Sequence, residues 1–132
     1  DIDGSLGTVP GLDPTNPAAS AMAKIGEANG FAGGDAFVGE SYDAAALMLL
    51  AMASAKSSDP QVYKDHIMKV ANGTGEKIYP GELAKGIKLA SYGVAIDYVG
   101  ASSVSLIGPG EAAGNFREIQ IQNGKMVDVN YR

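Results

Sequence analysis

Apolar residues recur along this chain in two rhythms, a helical one up to about residue 93 and an alternating one beyond it. Asn16-Pro17 predicts the first helix start. Asparagine is a good N-cap, and proline at the first helical position lacks only an N–H that would have no partner there. Ala18, Ala21, Met22, Ile25 and Ala28 follow at helical spacing and predict one apolar stripe, which Gly30 should end. Residues 32–36, with Gly33-Gly34, read as a loop. The clearest helix is predicted over residues 41–55. Its centre, residues 44–53, is apolar on every face, so burial on more than one side is expected, between a sheet and another layer. Ser58-Asp59-Pro60 repeats the cap pattern for a third helix, with Val62, Tyr63, Ile67 and Val70 on its apolar side and Asn72-Gly73 as its stop. Tyr79-Pro80-Gly81-Glu82 opens a fourth, lined by Leu83, Ile87 and Ala90 and ended by Gly93.

Strand signals flank this helical stretch. Residues 5–9 predict a short strand before Pro10, and residues 104–107 another before the turn Gly108-Pro109-Gly110. Residues 116–122 and 125–131 flank Asn123-Gly124, which predicts a hairpin because both residues of so tight a turn need positive φ. Ile119 and Ile121 are expected on one face, with Val127, Val129 and Tyr131 alternating likewise. The class is α/β with a C-terminal β-hairpin. Three or four strands with four helices do not close one sheet, so partner strands are expected from outside the chain.

Composition narrows the functional classes. The 132 residues suit one domain or two partial ones, and 45% apolar residues are enough to fill a core. A net charge of −5, with ten scattered basic residues, argues against a nucleic-acid surface. The absence of cysteine removes disulfides, thiolate nucleophiles and Cys-based zinc sites. His66 is the only histidine, so no mechanism with two imidazoles is available. The opening Asp1-Ile2-Asp3-Gly4 shows no signal-peptide pattern, and a start in mid-structure predicts a fragment or a processed chain. The apolar run 44–53 is too short for a bilayer, which takes about 20 residues.

Candidate chemistry is sparse. Asp1-Ile2-Asp3-Gly4 resembles the start of a calcium loop, but the later oxygen ligands are absent; a frayed acidic terminus is the expectation. The glycines from Gly108 to Gly114 have the wrong spacing for a dinucleotide fingerprint and precede a hairpin, not a helix. His66, beside Asp65, reads as a solvated residue on an exposed helix face. Glu40, Asp43, Asp59 and Glu82 sit at helix starts, where negative charge complements the macrodipole. No metal or catalytic set and no cofactor is indicated. Phe37 stands on a glycine-flanked approach to the apolar helix and either lines a cleft or packs in the core.

Residues 37–55, read F-V-G-E-S-Y-D-A-A-A-L-M-L-L-A-M-A-S-A, resemble a segment of type I periplasmic solute-binding proteins, the leucine/isoleucine/valine-binding group that feeds ABC importers. The resemblance continues in order. Tyr79-Pro80-Gly81-Glu82-Leu83-Ala84-Lys85-Gly86 is similar to that family's helix opening, and Ile96-Asp97-Tyr98-Val99-Gly100-Ala101-Ser102 to its I-D-Y-x-G-A-S loop. Gly110-Glu111 and the Asn123-Gly124 hairpin resemble its closing segment, and residues 4–10 the strand before this region. The chain departs from the pattern at Ile107-Gly108, where many members carry an aromatic-Asp pair.

This resemblance implies part of a two-lobed fold with Rossmann-like lobes and ligand held in the cleft between them. It assigns residues 1–34 and 114–132 to the second lobe and 35–113 to the first. It implies a periplasmic or otherwise extracytoplasmic protein that binds a small solute, an amino acid or related carboxylate, without covalent chemistry. Hinge closure would present the closed form to an ABC permease. A ligand-sensing domain of the same fold in a regulator or receptor is the alternative. An N-terminal portion of the same protein would complete the fold and hold most ligand contacts. Only Phe37 aligns with a pocket-wall position.

Overall fold

In a computed structural model, which describes residues 2–108 and 111–131, Asn16 caps the first helix as its side chain allows. Its Oδ1 accepts from the Ala18 N–H at 2.9 Å. The helix α1 (Pro17–Asn29) ends at Gly30 in the left-handed conformation, as the sequence predicts. Its buried side differs from the predicted stripe: Ala18, Ala19, Met22 and Gly26 face inward and Ala28 is exposed. The physical reason is a backbone contact. A Cβ on Gly26 would stand 2.5 Å from the Gly33 nitrogen, so the following loop lies directly on the helix there.

Helix α2 (Val38–Ala55) begins three residues before the predicted start at 41. Ala46, Leu47, Leu50 and Ala51 are buried on one face, while Ala44, Ala45, Met48 and Leu49 on the other are open. The expected burial on several sides is therefore not met within the described residues. Helix α3 (Pro60–Ala71) is capped by Asp59, whose Oδ1 accepts from the Gln61 N–H at 2.9 Å. Helix α4 (Leu83–Ser91) turns Gly86 and Ala90 inward, and Ile87, predicted inward, is exposed. Gly86 takes the central place because Leu50 and Ile78 come so close that a Cβ there would lie 2.8 and 2.9 Å from them.

The strands are β1 (Leu6–Pro10), β2 (Glu76–Ile78), β3 (Ile96–Tyr98), β4 (Ser105–Gly108), β5 (Glu111–Ala113), β6 (Phe116–Gln122) and β7 (Lys125–Tyr131). Strands β2 and β3 pair in parallel, and α4 forms the crossover between them. Ile78, Ile96 and Tyr98 from this pair join Leu47, Leu50, Ala51, Val70 and Ala90 in the main core. The sequence reading missed β2, β3 and β5, each only three residues long and too short to display an alternation. Strands β4 and β5 pair antiparallel; Pro109 and Gly110 of the predicted turn lie outside the described residues.

The hairpin β6–β7 has its predicted limits, with Asn123 at φ 53° and Gly124 at φ 72°. Strand β1 adds antiparallel to β6, so the first and last segments of the chain share one sheet of order β1-β6-β7. A register shift between Glu118 and Ile119 changes the predicted faces. Val127 lies opposite Gln120, whereas Tyr131 lies opposite Arg117, so the two are not on one face. Apolar side chains stand exposed on both sides of this sheet, including Leu6, Met126, Val127 and Tyr131. The acidic terminus is not frayed at Asp3. Its two carboxylate oxygens accept the N–H groups of Asn123 and Gly124, each at 2.9 Å, and tie the start of the chain to the hairpin turn. The overall class is mixed α/β, in line with the sequence.

Candidate functional site: a carboxylate-held junction beside Phe37

Asp43 lies one turn inside α2, three and four residues before Ala46 and Leu47, which places it on the core face of the helix. It is only 1% exposed. A buried carboxylate is tolerated only when its lone pairs are filled. Four donors converge on it. Tyr98 Oη and the Ala101 N–H donate to Oδ1 at 2.7 and 3.0 Å. Ser102 Oγ and the Ser102 N–H donate to Oδ2 at 2.6 and 2.8 Å. Gly100 is required beside it, since a Cβ there would stand 2.5 Å from Oδ2. The role read from sequence, a charge complementing the helix dipole, is thus replaced by a structural clamp. One sign of it was in the sequence: a lone carboxylate sharing a helix face with the apolar positions that follow.

Two further side chains complete the junction. Asn16 caps α1 with its oxygen and uses Nδ2 to reach Ser103 Oγ at 2.8 Å and the Gly100 carbonyl at 3.3 Å. The turn at residues 100–103 is therefore gripped from α1 and from α2. Tyr42 Oη accepts the Gly81 N–H at 2.9 Å, which ties α2 to the turn that opens α4. That turn is closed on itself by Glu82, whose Oε2 accepts the Tyr79 N–H at 3.0 Å. Leu12, Ala19, Met22 and Ala101 pack beneath, with Val38 and Tyr42 against them.

Phe37 immediately precedes α2 and is 62% exposed, so the core-packing alternative for it is not what the structure shows. Its φ of 69° is left-handed, and no side-chain cap bond compensates. A β-carbon in that region is unfavourable by about 1–2 kcal/mol. Phe37 is thus an exposed, backbone-strained residue at the entry to α2, and none of the cavities lined by Asn16, Pro10, Leu12, Leu6 or Met48 includes it.

Burial, together with the charge of Asp43 and the hydrogen bond to it, raises the ionisation of Tyr98 far above the usual phenol range. The folded state then keeps a proton that the unfolded state releases above about pH 10. This stability is present below that pH and declines as pH rises past it, by about 1.4 kcal/mol per unit for one such group. Lys85, whose pKa is raised by Glu76, acts in the same direction. Urea denaturation between neutral pH and about 11 should show this decline, and Tyr98→Phe should flatten it.

Elsewhere the predicted candidates do not assemble into chemistry. His66 is half-buried, not solvated, and its Nδ1 lies 2.8 Å from Ser54 Oγ across the α2–α3 contact. No carboxylate is bonded to His66 among the described residues, so the pair is no triad. No group of three His, Asp or Glu side chains suited to a metal occurs among the described residues. No helix among them is long and apolar enough to cross a membrane. Comparison with models of known protein families, with curated proteins and with solved structures finds no match to this chain.

Proposed function

We propose that this chain is part of an extracytoplasmic solute-binding protein that delivers an amino acid or related carboxylate to an ABC importer. The observation that carries this reading is the bonding of Tyr42-Asp43 to both of the other central motifs. Tyr42 binds the Tyr79-Pro80-Gly81-Glu82 turn, and Asp43 binds Tyr98, Ala101 and Ser102. Segments that resemble one family in sequence order form one physical unit, which is what a shared fold requires. The pairing of β1 with β6 supports the assignment of both chain ends to one lobe.

Uncovered apolar surface supports a larger whole. The outer face of α2 and both faces of the β1-β6-β7 sheet expose large side chains, and a parallel pair of two strands is normally the margin of a wider sheet. Further polypeptide of the same protein would cover these faces and supply most of the ligand contacts. Phe37 would then form part of the cleft wall, and binding by lobe closure, not covalent chemistry, would be the activity.

The test is calorimetry on the gene product that carries these residues together with its flanking sequence, titrated with the proteinogenic amino acids and short carboxylates. Micromolar binding is expected, and Phe37→Ala should weaken it by about tenfold or more, the usual result of losing an aromatic wall. The 132 residues alone should bind amino acids far more weakly. Micromolar amino-acid binding by the isolated chain, or turnover of a bound substrate, would sink the proposal.

A further inference from the structure

The dipeptide Asn-Gly occurs at Asn29-Gly30, Asn72-Gly73 and Asn123-Gly124, and the fold constrains the three differently. Asparagine is thermolabile, above all before glycine, whose missing β-carbon leaves room for its nitrogen to close a ring on the asparagine Cγ. That attack needs a side chain free to turn and a nitrogen able to give up its proton. At Asn72 the side chain is tied: Nδ2 donates to the Leu106 carbonyl at 2.6 Å, and Oδ1 accepts the Leu106 N–H at 3.1 Å. At Asn29, the last residue of α1, Nδ2 donates to the Ile25 carbonyl at 2.8 Å. The Gly30 N–H there is held by the Glu27 and Gly26 carbonyls. Asn123 is exposed, and its side chain makes no hydrogen bond among the described residues. A Cβ on Gly124 would meet nothing within 4 Å, so the turn is open. The restraint here acts on the nitrogen alone. Gly124 N–H donates to Asp3 Oδ1 and Asn123 N–H to Asp3 Oδ2, each at 2.9 Å.

A hydrogen bond to a carboxylate is charge-assisted, so it keeps the Gly124 proton in place. The negative charge of Asp3 also opposes an anion on the same nitrogen. We propose that Asn123 is a deamidation site and that Asp3 is its latch. When Asp3 lifts away, the Gly124 nitrogen attacks Asn123 Cγ. The N–Cγ bond forms, the Cγ–NH₂ bond breaks, and the NH₂ group leaves as ammonia with the proton from Gly124. Water then opens the cyclic imide to aspartate or isoaspartate. Either product sets a second carboxylate near Asp3, and like charges resist relatching. Isoaspartate also puts an extra carbon into the backbone beside the Gln122–Lys125 pair. The step therefore runs one way and loosens the tie between Asp3 and the hairpin tip. It does not depend on the transport reading, because neither Phe37 nor lobe closure takes part.

The experiment is peptide mapping by mass spectrometry of the 132-residue chain aged in warm, mildly alkaline buffer, with isoaspartate read by an isoaspartate-specific methyltransferase. In the native chain Asn123 should deamidate at least about tenfold more slowly than in the same chain unfolded in urea. Asp3→Ala should accelerate Asn123 by about tenfold, with the rates at Asn29 and Asn72 unchanged as internal references. Asp3→Ser removes the charge but keeps a turn-forming side chain with an acceptor oxygen, and should accelerate Asn123 by about threefold. If Asp3→Ala loosens the whole fold, all three sites accelerate together and Asp3→Ser decides. An Asn123 rate that Asp3→Ser leaves unchanged overturns the proposal. A slower rate also does so, since Asp3 would then be assisting the attack. Equal Asn123 rates in the native and urea-unfolded chain, or acceleration of all three sites in both variants, would overturn it as well.

Discussion

Asp43→Ala should remove a large part of this chain's folding stability. The substitution removes one acceptor group and orphans four buried donors: Tyr98 Oη, Ser102 Oγ and the N–H groups of Ala101 and Ser102. Each orphan is unfavourable by about 1–3 kcal/mol, partly relieved by water entering the gap. A net loss of about 4–6 kcal/mol is expected, against a total stability of about 5–15 kcal/mol for an ordinary domain. Asp43→Asn keeps one acceptor oxygen but sets an NH₂ group against donors, so it should lose roughly half as much. Urea denaturation followed by circular dichroism measures both. A loss below about 2 kcal/mol for the alanine variant would mean that the turn at residues 100–103 is held by Asn16 without Asp43.

Leu50→Ala and Leu49→Ala should differ sharply although the residues are neighbours of one type. Leu50 is 0% exposed, packed among Gly86, Ile78 and the rest of the main core. Its truncation removes buried methyl groups and leaves a void, at about 2–5 kcal/mol. Leu49, on the opposite face of α2, is 45% exposed, and its truncation should change stability by less than about 1 kcal/mol. Thermal or urea unfolding of the isolated chain reads both values. If further polypeptide covers the outer face of α2, Leu49→Ala becomes costly in that longer protein while remaining harmless here. Equal effects of the two substitutions in the isolated chain would contradict the one-sided burial of α2.

Features that depend on a few neighbouring residues were legible in the sequence. Asn16-Pro17 and Asp59-Pro60 set helix starts, Gly30 a stop and Asn123-Gly124 a hairpin, because caps and tight turns are settled by local φ, ψ and hydrogen bonding. Features that depend on what lies opposite were not. The inward turn of Gly86 in place of Ile87 follows from the approach of Leu50 and Ile78 from other elements. The bulge that separates Val127 from Tyr131 follows from pairing with β6. The short strands β2 and β3 have no period to read and are held in place by the helices packed on them.

The candidate site divides along the same line. Phe37 drew attention in the sequence for its glycine-flanked position, but its exposure and left-handed φ come only from how the loop meets α2. Asp43 looked like an ordinary acidic residue near a helix start, and its partners lie 55 to 59 residues away. The sequence by itself determined the presence of four helices, the caps Asn16 and Asp59, the hairpin, the acidic charge and the absence of thiol chemistry. Only the tertiary structure decided that a buried carboxylate holds α2 to the turn after β3, because convergence of donors on one group depends on chain segments that periodicity does not bring together.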